Sequence, residues 1–308
     1  MPEYAAICGI TEEEIKENFM PELKQMSEAN NWSVQETHDR LKAYYDGYHF
    51  SRRNMVDVYN PYSLVNALKS KEIINFWASS GATSLLPKFV DNAELRMKNF
   101  EHCRIMRNTL ELSDVSGGGA ELFLYQSGYL TIKESDEFGY ILGFPNEEVK
   151  QALYETVLPA LAMRSENEIQ SLQACLYREL GTGQIDEAMN SLKALIADVP
   201  YSNKKLASMD MEERYRLVIS TILNAIGLNV EVEKMISTGR IDMTVKTSRY
   251  IYVIELKLRN NGGKDAATEQ ILNRQYMEPF KADKRKVIGL GIELDEEGKG
   301  LLDWKRAE

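Results

Sequence analysis

Gly239-Arg240-Ile241-Asp242 and Ile254-Glu255-Leu256-Lys257, with Glu255 thirteen residues after Asp242, decide how this chain is read. With period-two alternation, Ile241, Met243 and Val245 fall on one face of a strand and Asp242 on the other. In the apolar run 250–258, Val253, Glu255 and Lys257 share a face, and Tyr252, Ile254, Leu256 and Leu258 share the opposite one. A carboxylate and an ammonium two residues apart in an apolar strand are costly to bury unless they pair or hold a metal. A second carboxylate, Asp242, can meet them from the preceding strand.

Outward from these two strands the pattern is regular. Residues 211–226 predict a helix with Tyr215, Val218, Ile219, Ile222 and Ile226 on one face, closed by Gly227 as C-cap. Strands follow at 230–235, 240–246 and 250–258. A polar loop with Gly262-Gly263 leads to a helix over about 265–277 and a strand at 287–292. The order α-β-β-β-α-β predicts an α/β layer, with Pro200-Tyr201-Ser202-Asn203 as the boundary before it.

The region upstream reads as mostly helical. Thr11-Glu12-Glu13-Glu14 and Ser33-Val34-Gln35-Glu36 are capping boxes that open helices. The aromatic segment 44–50 and Tyr59-Asn60-Pro61-Tyr62-Ser63 carry turn signals, and the former suggests a buried or pocket-lining hairpin. Ser116-Gly117-Gly118-Gly119 breaks the chain. A helix at 121–127, a hairpin of strands 129–133 and 140–144, and a helix from 146 together read as a winged-helix-like unit. Residues 148–198 read as three amphipathic helices with breaks near 164–165 and 181–183. The expected division is 1–100, 101–200 and 201–308.

Composition narrows the class. Hydrophobic content of 44% and charged content of 27% are those of a soluble globular protein. No apolar run approaches a membrane span of ~20 residues, and no signal peptide is evident. Cys8, Cys103 and Cys175 are far apart and odd in number, and His38, His49 and His102 form no metal pair at helical spacing. A reducing cytoplasm is the expected setting. Net charge is −10, against a general nucleic-acid binder. Yet residues 201–292 hold 16 Lys and Arg against 11 Asp and Glu, while the remainder holds 21 against 36. The basic part contains the Asp/Glu/Lys set, which fits a phosphate-backbone substrate. Ordinary scatter of surface charge is the plain alternative.

Two carboxylates and a lysine at one spot are what metal-assisted phosphodiester hydrolysis needs. Gly239–Asp242, Ile254–Lys257 and Ala267-Thr268-Glu269-Gln270-Ile271 with Tyr276 resemble the PD-(D/E)XK nuclease superfamily. In particular they resemble the nuclease domain found behind an AAA-ATPase-like domain in many bacterial and archaeal proteins. Upstream blocks extend that resemblance over nearly the whole chain: Tyr45-Asp46-Gly47-Tyr48, Asn60-Pro61, Trp77, Gly128-Tyr129-Leu130-Thr131 and Pro145-Asn146-Glu147-Glu148-Val149. The resemblance implies Asp242 and Glu255 as metal-binding carboxylates, joined by the Leu256 carbonyl, for Mg²⁺ or Mn²⁺. It implies that Lys257 positions or activates the attacking water and that Gln270 orients substrate or water. A further acidic residue is expected near the start of the preceding helix. Glu212 and Glu213 both qualify, and counting back fifteen residues from Gly227 favours Glu212. Nucleic acid, DNA more than RNA, is the implied partner, with room for a protein partner or homodimer and none for a membrane.

The chain has no GxxxxGK[ST] phosphate loop. Gly262-Gly263-Lys264-Asp265 lacks the spacing and the hydroxyl, so ATPase activity is not expected. Plainer readings exist for the same residues. Asp242–Arg240 or Glu255–Lys257 can be structural ion pairs on a solvent-facing strand. Glu212 can be a first-turn carboxylate favoured by the helix dipole, and Gln270 a surface glutamine. At the level of the protein, the alternatives are a catalytically silent binding module, or a regulatory ATPase-family remnant whose segment 44–50 contacts a nucleotide.

Overall fold

The computed structural model describes residues 4–51, 56–80, 100, 102–110, 119–162, 166–197 and 210–307. The expected boundary at 200–203, the break at 116–118 and that near 164–165 lie outside the described residues. The chain divides into two units, Met1–Leu153 and Tyr154–Glu308.

In the first unit the helices are α1 (Glu12–Asn18), α2 (Met20–Asn30), α3 (Val34–Tyr45) and α4 (Pro61–Ser70). Thr11 opens α1 with a full capping box. At α3 only half the box forms. Ser33 Oγ accepts from Glu36 N at 3.0 Å, but the Glu36 carboxylate is taken by Arg40 one turn later at 2.8 Å. Asn60 caps α4, with Pro61 at its first position, where the missing N–H costs nothing. These helices bury Ile15, Leu23, Met26, Leu41, Tyr45, Tyr59 and Leu64 in one cluster. Among the described residues the hairpin expected at 44–50 is reduced to one antiparallel bridge. Tyr45 ends α3, and Tyr48 makes an isolated bridge to Val58.

After β1 (Cys103–Met106) and the single turn α5 (Arg107–Leu110) come α6 (Gly119–Gln126), β2 (Thr131–Ser135) and β3 (Gly139–Gly143). The expected hairpin forms, and β1 adds an unforeseen third antiparallel strand in the order β1-β3-β2. The upstream motif blocks meet one another here. Trp77 packs edge-on against Tyr129, with ring centroids 4.6 Å apart. Tyr48 Oη donates to the Gly128 carbonyl at 3.1 Å. The buried Glu148 accepts from the Phe76 and Trp77 amides at 2.8 and 2.9 Å.

Helix α7 (Glu147–Ala162) crosses the division and is followed by α8 (Glu166–Thr182) and α9 (Ile185–Ala197). The second unit then runs α10 (Met211–Ala225), β4 (Asn229–Ile236), β5 (Gly239–Lys246), β6 (Tyr250–Leu258), α11 (Gly263–Asn273), β7 (Lys286–Leu294) and β8 (Leu301–Ala307). The sheet order is β4-β5-β6-β7-β8, antiparallel throughout except for the parallel β6–β7 pair. A parallel pair needs a crossover, and α11 supplies it. Helix α10 covers one face, its Tyr215, Val218, Ile219 and Ile222 packed with Met243, Val245, Tyr252, Ile254 and Leu256. Helix α11 covers the other, with Ile271 packed against Ile251 and Val253. Gly291 of β7 permits that approach, because a Cβ there would lie 2.7 Å from the Lys264 carbonyl. The expected α-β-β-β-α-β order is therefore present, and β8 extends it at an edge. The alternation in β8 is interrupted by Asp303, Lys305 and Arg306, charges that protect edge strands from further pairing.

One assignment of faces needs correction. Met243 and Val245 pack on the α10 side, but Ile241 joins Ile251, Val253 and Ile271 on the α11 side. The reason is that the β5–β6 ladder ends at Met243↔Ile254. Beyond that pair β5 stays paired to β4, but that ladder too skips Asp242, at Glu233 with φ +54° between Val232↔Met243 and Lys234↔Ile241, and the strict alternation is lost there.

Candidate active site

The site lies where that ladder ends. Asp242 is one residue past the last pair, and its Oδ2 accepts from the Leu256 amide at 3.0 Å. A side chain thus takes the N–H that a strand carbonyl would otherwise receive, which fixes one carboxylate oxygen and leaves Oδ1 directed elsewhere. Asp242 is only 6% exposed and Glu255 1%, so neither belongs to a solvent-facing strand.

Glu255 has two differently placed oxygens. Oε1 accepts from Gln270 Nε2 on α11 and lies 3.5 Å from Lys257 Nζ. Oε2 is buried and has no hydrogen-bond partner, an arrangement that costs free energy unless something unseen satisfies it. Burial first, and then the Asp242 charge, push the Glu255 carboxyl well above the usual carboxylate range. For Lys257, burial acts to lower its pKa, but Glu212, Glu255 and Asp242 outweigh it and the net shift is upward. Lys257 is therefore a held ammonium.

The remaining expected residues are brought to the same place. Glu212 Oε1 lies 3.5 Å from Lys257 Nζ, whereas Glu213 is exposed. Gln270 bridges Glu255 and Tyr276, donating to the Tyr276 hydroxyl at 3.3 Å. Gly239 completes that bridge. Its φ is +154°, and a Cβ there would sit 2.9 Å from the Tyr276 hydroxyl. The glycine of the opening motif thus makes room for the tyrosine that supports Gln270. Leu256 contributes its amide to Asp242; its side chain lies in the core.

Two features were not anticipated. Arg240 pairs with Glu233 at 3.1 Å rather than with Asp242. The cation facing Asp242 is Arg216, whose Nε is 3.8 Å from Oδ1. Glu212 and Arg216 are four residues apart on α10 and so share a helix face, a spacing that would have revealed Arg216 once Glu212 was placed. The Gly262–Asp265 stretch serves as a helix start. Gly262 precedes α11 with φ +92°, and the Lys264 ammonium is held by Asp303.

Among the described residues no three His, Cys, Asp or Glu side chains converge as metal ligands. The donor set is two carboxylates, Asp242 and Glu255. Mg²⁺ is commonly held by one or two carboxylates, keeping several waters, and the unsatisfied Glu255 Oε2 fits such a ligand. The residues present therefore fit a divalent metal ion.

The second unit is thus an α/β domain whose sheet, covered on both faces, gathers two carboxylates, a lysine and a glutamine where the β5–β6 ladder ends. Residues 210–304 match the PD-(D/E)XK nuclease superfamily. The match begins at α10 and does not extend to the upstream blocks, and nothing found supports an AAA-ATPase-like family. The chain is also similar to an uncharacterized protein in the vnfD 5' region of Azotobacter chroococcum mcd 1. The two are 27% identical over 314 residues, which is 98% of this chain and 57% of that protein. This chain thus spans little more than half the length of that relative. No solved structure gives a match. Among the described residues no helix is long and apolar enough to cross a membrane.

Proposed function

We propose that the second unit is a Mg²⁺- or Mn²⁺-dependent nuclease that hydrolyses phosphodiester bonds, of DNA in preference to RNA. The observation that carries this reading is Glu255, buried, with one oxygen held by Gln270 and the other unsatisfied beside Asp242. When bound, the metal would lower the pKa of a coordinated water and offset charge developing on the phosphate. Asp242 and Glu255, with the Leu256 carbonyl, would hold it. Lys257, kept protonated by its acidic neighbours, acts as a charged donor toward the attacking water or the phosphate rather than as a base. Glu212 fixes the position of that ammonium, and Gln270 orients Glu255.

The test is plasmid nicking with Mn²⁺ titration calorimetry on the same samples, wild type against Asp242→Asn/Glu255→Gln. Loss of both metal binding and nicking in the variant supports the reading, and RNA run in parallel decides the substrate preference. A net charge of −10 favours one rival, a catalytically silent binding module. Binding of nucleic acid or of a protein partner without cleavage, indifferent to chelator and to Asp242→Asn, would select it.

A further inference from the structure

We infer that Arg216 is a phosphate-binding residue of this site, held against Asp242 until a divalent cation takes that carboxylate. This inference rests on the nuclease reading above and adds a residue that no motif supplies.

Three observations carry it. First, Arg216 is 9% exposed and is the cation facing Asp242. Its Nε lies 3.8 Å from Oδ1, and that N–H is buried with no hydrogen-bond acceptor. A buried guanidinium donor left unused is costly, and a ligand oxygen would satisfy it. Second, the side chain is anchored from the other end. Glu233 accepts from Nη1 of Arg216 and also pairs with Arg240. Third, Glu233 has φ +54°, a region non-glycine residues seldom adopt. It falls between the ladder pairs Val232↔Met243 and Lys234↔Ile241. The unusual backbone at Glu233 thus accompanies a carboxylate directed at Arg216.

The chemistry follows from the geometry. Asp242 Oδ2 is committed to the Leu256 amide, so a metal would engage the oxygen that Arg216 now faces. Cation and guanidinium compete for the same carboxylate. Once displaced, the planar fork stays tethered by Glu233 and is suited to the non-bridging oxygens of a phosphodiester. A residue that only orients Asp242 would behave in the opposite way, because metal affinity would then depend on it.

The sign of the metal effect separates the two roles. Mn²⁺ affinity is measured by calorimetry. Affinity for a labelled DNA duplex is measured by fluorescence anisotropy in Ca²⁺ and in EDTA, for wild type, Arg216→Gln and Arg216→Lys. The expected result for Arg216→Gln is Mn²⁺ affinity equal to or tighter than wild type, with duplex affinity in Ca²⁺ reduced about tenfold and unchanged in EDTA. Arg216→Lys keeps the charge without the fork. It should also lose duplex affinity in Ca²⁺, and it carries the test if the glutamine variant does not fold. Weakened Mn²⁺ binding, or unchanged duplex affinity in Ca²⁺, overturns the inference. A wild type that neither binds Mn²⁺ nor nicks DNA overturns the nuclease reading itself, and this inference with it.

Discussion

Replacing Glu255 with glutamine should make the metal-free protein more stable while abolishing its metal binding. The Glu255 carboxyl is 1% exposed, and its pKa is raised by burial and by Asp242. A carboxylate whose folded pKa exceeds its unfolded one favours folding below the unfolded value. That stability is lost as pH rises toward the folded value, because the unfolded chain gives up the proton first. Each pH unit in that window removes at most about 1.4 kcal/mol, so the ceiling from pH 5 to pH 7 is about 2.7 kcal/mol. Lys257 and Gln270 favour the ionised form, and we expect an observed difference of about 1–2 kcal/mol. Glutamine keeps the Oε1 acceptor for Gln270 and carries no charge. The assay is urea unfolding in EDTA at pH 5, 6, 7 and 8, for wild type and Glu255→Gln. Glu148 and Asp46 are likewise raised, to about 7 and about 6, so the wild-type curve alone would mix three groups, and the difference between the two proteins isolates Glu255. The gap should widen in favour of glutamine as pH rises, and saturating Mn²⁺ should stabilise wild type alone, by about 2.7 kcal/mol at one hundred times Kd. A pH-independent gap, or a glutamine variant less stable at pH 7, would refute the reasoning.

Three further outcomes are expected. Lys257→Met should lower kcat for nicking by about 10²–10³ while leaving Mn²⁺ affinity at or above the wild-type value, read by single-turnover kinetics beside calorimetry. Gly239→Ala forces a side chain at φ +154° against the Tyr276 hydroxyl and should cost about 1–3 kcal/mol; Tyr276→Phe in the same chain should recover part of the loss in melting temperature. In the first unit, Glu148→Ala leaves the Phe76 and Trp77 amides without their acceptor. It should cost about 1–3 kcal/mol for a buried amide so orphaned, read by denaturant unfolding of the full chain.

How much of this could be read in the sequence depends on which force places each residue. Strand 250–258 was legible because burial on both faces leaves a long apolar run, strand 240–246 through its period-two alternation, and the charges inside the apolar run stand out. Glu255, Lys257 and Gln270 could be named for that reason and through the motif resemblance. Strand β8 was not legible, because edge charges at Asp303, Lys305 and Arg306 mask its pattern. The half-formed box at Ser33 shows another limit, since the spacing is correct but Arg40 competes for Glu36. Arg216 was missed because a buried arginine on an apolar helix carries no signal until its partners are known.

The displacement of Ile241 explains why the site sits where it does. Alternation predicts that Ile241 and Met243 share a face, and in a fully paired strand they would. The ladder to β6 stops at Met243, and from there Asp242 replaces a backbone acceptor with its own carboxylate, held by the Leu256 amide. Opening the ladder admits groups from both covering helices to one point: Glu212 and Arg216 from α10, and Gln270 from α11. A continuous sheet would keep those two sets on opposite faces, separated by the backbone. The catalytic geometry proposed for this chain therefore depends on a defect in strand pairing. Removing the Asp242 carboxylate would leave the Leu256 amide without its acceptor and take from the site one of its two buried carboxylates, even if every other side chain were retained.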